Sequence, residues 1–329
     1  MRATIQSQET FDEYIRRIES LGIQDKFTVE YFIWHDKNFN SNEYEQLKNK
    51  IGRVLPINSR VQHIIHNQKG DSFNVTYRLN QFGQRQTILR GNRSQHLILA
   101  GDSNTFGQGV EDNWTLDSLF FKKFSNYNTY NFGQLGGGPS NTLALLETTS
   151  WFEQIKENKG KMIYIFYPEW MTMRVIGSKQ YITLLGGQTP YFFLDSDKKL
   201  VRKGNLGDRL ISKIFLLISK LDYFHLIGDL PPLTEDHIEL IAKIFNKMQL
   251  EYKKMFPSGE FAVAIIARMD VKHLFISELE KKLSSEGVKF ATIDINSQPD
   301  PPQKYLFDHH QSAIGQQITM DSLVKAISF

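Results

Sequence analysis

From residue 96 onward, short apolar runs alternate with stretches whose apolar positions recur at helical spacing. His96–Ala100, Tyr127–Phe132, Met162–Tyr167, Phe261–Ile266 and Lys289–Ile293 read as buried strands. Trp114–Phe124, Ser140–Ile155, Glu235–Met255, Val271–Glu286 and Ser312–Ile327 read as the helices that separate and follow them. Alternation of this kind predicts a parallel sheet covered on both faces. The expected fold class is therefore α/β, a three-layer α/β/α sandwich around a central, mostly parallel sheet of about five strands.

Two regions break the rhythm. Residues 177–235 hold short β-like pieces (Tyr181–Leu185, Tyr191–Leu194, Leu200–Arg202), an amphipathic Leu206–Phe224 and the turn Pro231-Pro232. They are expected to form an insertion lying over the sheet. Residues 1–90 show no clean strand–helix alternation. Phe11–Leu21 has a helical pattern, Phe27–Trp34 a β-rich one, and Glu43–Ile51 the spacing of a helix. Phe73–Leu79 alternates apolar and polar like a half-buried strand, and Asn80-Gln81-Phe82-Gly83 follows as a turn. The expected organisation is an accessory α+β region over 1–90 and a main domain over 91–329.

Composition narrows the function classes. The formal charge of this 329-residue chain is only +3, with Lys and Arg dispersed, which makes no case for nucleic acid as partner. There is no cysteine, which rules out disulfides and thiolate metal sites. Met1–Glu9 is polar, and the greasiest run, Ile211–Leu221, contains Lys213, Ser219 and Lys220. No signal peptide or membrane span is expected, and the expected location is the cytoplasm.

Three segments carry chemistry, each at a junction of strand and helix. Strand His96–Ala100 ends in Gly101-Asp102-Ser103-Asn104-Thr105-Phe106-Gly107-Gln108-Gly109-Val110. A serine there occupies the end of an open α/β sheet where ligands bind, and it needs an adjacent base to act as a nucleophile. Asn131-Phe132-Gly133-Gln134-Leu135-Gly136-Gly137-Gly138-Pro139 follows the next strand. Its glycines can aim a backbone N–H into the site or simply make a tight turn. Asp308-His309-His310-Gln311-Ser312-Ala313-Ile314-Gly315 precedes the last helix. Its Asp can orient a His, or Asp308 or Ser312 can cap the helix. Adjacent histidines rarely point at one ion, so neither metal nor cofactor is expected.

In this order the three segments resemble the sequence blocks of the SGNH/GDSL hydrolase superfamily. Tyr77-Arg78-Leu79-Asn80-Gln81-Phe82-Gly83-Gln84-Arg85 also resembles the lead-in of its larger bacterial members. The resemblance covers roughly residues 75–327 and implies a flavodoxin-like SGNH fold. It implies Ser103 as nucleophile, His310 as general base in preference to His309, and Asp308 as the residue that orients His310. The backbone amides of Ser103 and Gly136 would bind the oxyanion. The implied activity is that of a serine esterase on a small acyl ester, such as an O-acetyl group on a carbohydrate. The same triad could serve an O-acetyltransferase, or the scaffold could be a non-catalytic glycan-binding or assembly protein.

The chain departs from the family at its third block, where an Asn side chain normally donates to the oxyanion. Here the strand runs into Pro168-Glu169-Trp170-Met171-Thr172-Met173-Arg174. Losing one oxyanion donor costs about 3–4 kcal/mol of transition-state stabilisation. Asn104, Asn141, Trp170 and Arg174 are the candidates to replace it. Arg174 could instead hold an acidic or sugar substrate, or form a surface salt bridge. Tyr181, Tyr191, Phe192 and Phe193 could stack on sugar rings, although core of the insertion is the favoured reading.

Overall fold

A computed structural model of the chain describes residues 27–52, 54–68, 70–86, 91–219, 234–267, 273–294, 305–306, 308 and 310–328. The expected helix at Phe11–Leu21, the turn Pro231-Pro232 and His309 lie outside the described residues.

The N-terminal region is an antiparallel sheet with one helix. Strand β1 (Phe27–His35) is followed by α1 (Ser41–Ile51), β2 (Ser59–Asn67) and β3 (Ser72–Leu79), in the spatial order β1-β2-β3. The Asn40 side chain caps α1 by accepting from the N–H groups of Asn42 and Glu43. Strand β2 lies where the sequence reading placed none. Its inward positions are Val61, His63 and Ile65, so a histidine interrupts the apolar alternation that would have announced it.

The α/β region begins with β4 (Gln95–Gly101), the short helix α2 (Ser103–Phe106), α3 (Leu116–Lys123) and β5 (Tyr127–Gly133). Helix α4 (Pro139–Leu146), β6 (Lys159–Phe166) and α5 (Pro168–Ile176) follow. Next come α6 (Lys179–Leu185), the hairpin β7 (Pro190–Leu194) and β8 (Leu200–Asn205), and α7 (Leu210–Ile218). The chain continues with α8 (Glu235–Met255), β9 (Glu260–Ala267), α9 (His273–Ser285), β10 (Lys289–Asp294) and α10 (Ala313–Ala326).

Five parallel strands form the central sheet in the order β10-β9-β6-β4-β5. Helices α4, α8 and α9 pack together on one face, while α3 and α10 pack against each other on the opposite face. This is the three-layer α/β architecture that the alternation predicts. Strand β4 lies between β6 and β5, with Leu97, Ile98, Leu99 and Ala100 fully buried. A strand covered on both faces needs a continuous apolar run, and β4 has one. At its amino end His96 bonds Tyr252 Oη at 2.7 Å and the carbonyl of Glu157 at 2.8 Å, which makes it a satisfied core residue.

Two local expectations are corrected. Tyr181–Leu185 reads as strand by composition but forms helix α6, because the Ser178 hydroxyl accepts from the Tyr181 N–H and Gly186 ends the turn. The expected helix Ser140–Ile155 stops at Leu146. There Thr148 bonds back to the Ala144 carbonyl at 3.0 Å, and a 3₁₀ segment follows. The segment after β6 is a full helix, α5, started by Pro168 at its first position. The hairpin β7–β8 docks on α4 and α8, so the insertion lies over the sheet only through those helices.

Candidate active site

Ser103 is the first residue of α2, immediately after the carboxyl end of β4. Asp102 caps that helix through its side chain, which accepts from the Asn104 N–H at 2.9 Å. The turn is tight because the neighbouring strand presses on it. Gly101 pairs with Gly133 across β4 and β5, and a Cβ on Gly133 would collide with the backbone of Phe106. Gln134 N–H then donates to the Gly101 carbonyl at 3.0 Å, holding the glycine turn against the serine turn. Gly136 lies two residues further on, with φ 67°.

The third segment arrives from the far end of the chain. His310 Nε2 lies 2.9 Å from Ser103 Oγ, and His310 Nδ1 lies 2.9 Å from Asp308 Oδ2. The His310 N–H also donates to Asp308 Oδ1 at 3.2 Å. Burial alone would raise the Asp308 carboxyl, but the hydrogen bonds and charge of His310, with a smaller contribution from His63, hold it below the usual carboxylate range. An ionised Asp308 accepts only, so His310 Nδ1 carries the proton and Nε2 is left to accept from the serine hydroxyl. The Asp308 side chain is 3% exposed and that of His310 is 22%, so the acid is sealed and the base is reachable.

The loop that presents His310 is fixed at several points. Leu306 N–H donates to the His310 carbonyl at 2.7 Å, and Tyr305 bridges to Gln311. Gln311 N–H donates to Asn104 Oδ1 at 3.2 Å, and Gln316 Nε2 donates to the Asn104 carbonyl at 2.8 Å. Asn104 therefore joins the last helix to the serine turn. These bonds engage its side-chain oxygen and its backbone carbonyl.

The other candidates fall into place in the same way. Asn141 is fully buried; its Nδ2 donates to the Ile51 carbonyl at 3.0 Å and its Oδ1 accepts from Gly138 N–H at 3.1 Å. Its amide thus ties α1 to the start of α4. Trp170 on α5 is 48% exposed. Arg174, two turns into α5, donates to Asp102 Oδ2 at 3.4 Å and to the Gly137 carbonyl. Its ion pair with Asp102 is largely shut off from water and does not lie on the surface. Its guanidinium joins the serine turn to the glycine turn. Tyr181 and Phe192 are buried, while Tyr191 and Phe193 stack on each other in a separate cleft beside Val175 and Arg209.

Sequence reasoning missed three residues at the site. Arg85 is buried and donates to the carbonyls of Phe106, Gly107 and Val110 and to Asp112, which clamps the whole loop after Ser103. Only the lead-in motif pointed toward it. Gln134 is buried in the glycine turn, and neither its Nε2 nor its Oε1 has a hydrogen-bond partner among the described residues. His63 comes from the N-terminal sheet. That sheet packs on Phe106 and Leu135, one residue from each turn, through Tyr77, Val75 and Ile33. Among the described residues no group of His, Asp and Glu is arranged to hold a metal ion, and no helix is long and apolar enough to cross a membrane.

No protein-family model matches the chain, and no curated protein matches it. Several solved structures are similar in fold at low identity. A member of the lipolytic G-D-S-L family from Veillonella parvula aligns at 12% identity and a TM-score of 0.41, over 70% of this chain and 97% of that one. An acetyl xylan esterase from Butyrivibrio proteoclasticus aligns at 11% identity and a TM-score of 0.40, over 79% and 66%. A family two carbohydrate esterase from Cellvibrio japonicus aligns at 10% identity and a TM-score of 0.38, over 80% and 65%.

Proposed function

We propose that this protein is a serine hydrolase that cleaves a small acyl ester, with an O-acetyl group on a carbohydrate as the substrate class. The observation that carries the reading is the hydrogen-bonded chain Asp308–His310–Ser103 at the carboxyl edge of the sheet. Nucleophile, base and orienting acid stand in the order that acyl transfer requires. The choice of an acetylated carbohydrate rests on the motif resemblance.

In this reading Ser103 Oγ attacks the acyl carbonyl as its proton passes to His310 Nε2. The tetrahedral oxyanion is met by the backbone N–H groups of Ser103 and Gly136. The C–O bond to the alcohol breaks, and the alcohol leaves with the proton from His310. Water then attacks the acyl-Ser103 ester, again giving its proton to His310. Ser103 takes that proton back as the carboxylic acid departs. Asp308 stays ionised throughout and stabilises the imidazolium.

The test is hydrolysis of p-nitrophenyl acetate by the wild type and by Ser103→Ala, His310→Ala and Asp308→Asn, with fluorophosphonate labelling in parallel. Labelling of the wild type and its loss in Ser103→Ala, with a fall in kcat of about 10³-fold or more in each variant, is expected. A wild type that neither labels nor exceeds the Ser103→Ala rate overturns the reading and favours a binding scaffold. An acetylated xylan or mannan oligosaccharide, compared with its alkyl ester counterparts, tests the substrate class.

A further inference from the structure

The inward face of the N-terminal sheet carries an imidazole that the proposed reaction leaves unused. His63 sits mid-strand in β2, paired with Tyr31 on β1 and Val75 on β3, and has no exposed surface. Its ring stacks on Tyr31 at 4.4 Å and meets Phe73 edge-on at 5.3 Å. Both ring nitrogens of a buried histidine require partners.

Nδ1 has one, the Tyr77 hydroxyl at 3.0 Å. That hydroxyl already accepts from the Gly109 N–H at 2.9 Å, so its own proton is free to go to Nδ1. Nδ1 therefore accepts, and the ring proton resides on Nε2. This Nε2 is buried and has no partner among the described residues.

Packing joins this sheet to the loop that bears Asp308. Gly109 has φ 80°, and a Cβ there would collide with Leu306 and crowd Phe73, so β3, the Gly109 turn and the Asp308 loop are packed together. Leu306 is the residue whose N–H closes that loop on His310. Asp308 and His310 both act electrostatically on His63, and His63 acts in turn on Asp308. The other titratable or charged groups at this junction are Tyr31, Tyr77, Arg85 over the Tyr77 ring at 4.9 Å, and Glu111 acting on Tyr77.

We infer that His63 is a positioning residue for the triad, its Nε2–H supporting the Asp308 carboxylate through one bridging water. The inference rests on the serine-hydrolase reading. A donor on Asp308 spreads the carboxylate charge and moderates the basicity that Asp308 confers on His310. Its removal loosens the acid and strengthens its field on the base.

The experiment compares pH profiles of kcat/KM for the wild type, His63→Phe, His63→Gln and Tyr77→Phe. His63→Phe keeps the stack on Tyr31 and loses the donor. It should lower kcat by roughly 10- to 100-fold, as loss of such outer partners does elsewhere, with KM unchanged. Its acid limb should move to higher pH. His63→Gln retains an N–H donor and should recover most of the rate. Tyr77→Phe, which releases the tautomer and keeps the ring, should shift the acid limb in the same direction and serves as the probe if His63→Phe does not fold. An acid limb that stays at the wild-type position in the folded variants, or a Gln variant as impaired as Phe, overturns the inference. Fluorophosphonate labelling of wild-type Ser103 separates the cases: a labelled wild type with inert His63 variants refutes only this inference, and an unlabelled one refutes the hydrolase reading.

Discussion

The Arg174 guanidinium lies 3.4 Å from the Asp102 carboxylate, and both side chains are largely shut off from water. The aspartate that precedes the serine is thus spent on structure, capping α2 with one oxygen and pairing with α5 through the other. Arg174→Met leaves a buried carboxylate without its counter-ion, which costs about 3 kcal/mol or more. The double variant Asp102→Asn/Arg174→Met keeps the cap and removes the charge, and it should recover much of that loss. Urea unfolding of the wild type, both single variants and the double variant measures the coupling. A double variant as unstable as Arg174→Met would show that packing, not charge, dominates.

Arg85 presents a planar fork to acceptors on Phe106, Gly107, Val110 and Asp112. Lysine has the charge but neither the plane nor the number of donors. Arg85→Lys should therefore destabilise by roughly 2 kcal/mol or more, because buried carbonyls are left unpaired. Esterase activity should fall with it, since the clamped loop begins at the nucleophile. Thermal unfolding and kcat measured on the same preparation check both outcomes.

Gln134 predicts a trade-off. Its amide atoms are buried without partners in the glycine turn beside the serine turn. Gln134→Leu removes that unsatisfied pair and should raise stability by about 1–3 kcal/mol. The same turn carries Gly136, the second oxyanion donor of the proposed reaction, so repacking it should lower kcat/KM by roughly tenfold. A variant that is both less stable and equally active would show the amide to be a packing element.

His63 also sets a pH dependence of stability. Burial pushes its imidazole down to about 3 from 6.5, with the field of Asp308 opposing. Between those values the unfolded chain binds a proton that the folded chain refuses, so stability rises with pH across that window. On acidification from pH 7 to pH 5 His63 should cost about 2 kcal/mol. His96, buried and depressed in the same direction, adds its own share. Asp308 contributes in a lower window: its depressed carboxyl stabilises above 3.8 and loses that contribution as pH falls below it. Urea midpoints at pH 7 and pH 5 should therefore differ less in His63→Phe than in the wild type. Equal differences would mean that His63 titrates normally in the fold.

The order of layers was legible because β4, β6 and β9 each carry an unbroken apolar run, as Leu97–Ala100 shows. Ser103, Asp308 and His310 could be named because each stands at a strand–helix junction within a distinctive local pattern. What escaped was pairwise and distant. Nothing in the run from Arg60 to Asn67 says that His63 faces inward against Tyr77, since a histidine at an inward position looks like a polar break. Arg85 reads as one more surface arginine until the carbonyls of residues 106–110 come round to it. The donor candidates Asn104 and Asn141 were chosen for their chemistry, and nothing local announces that the Asn104 side-chain oxygen and the Asn141 amide also join segments far apart in the chain. Local composition also misjudged Tyr181–Leu185, where cap and stop residues outweighed a β-rich run.

Ser103 and His310 are separated by 207 positions along the chain. During synthesis at roughly 5–20 residues per second, the segment bearing the base follows the serine by about 10–40 s. Through that interval the nascent chain holds a serine with no partner to activate it. Under the proposed mechanism the nascent chain is therefore unreactive toward esters until the Asp308–His310 loop and α10 close over Asn104.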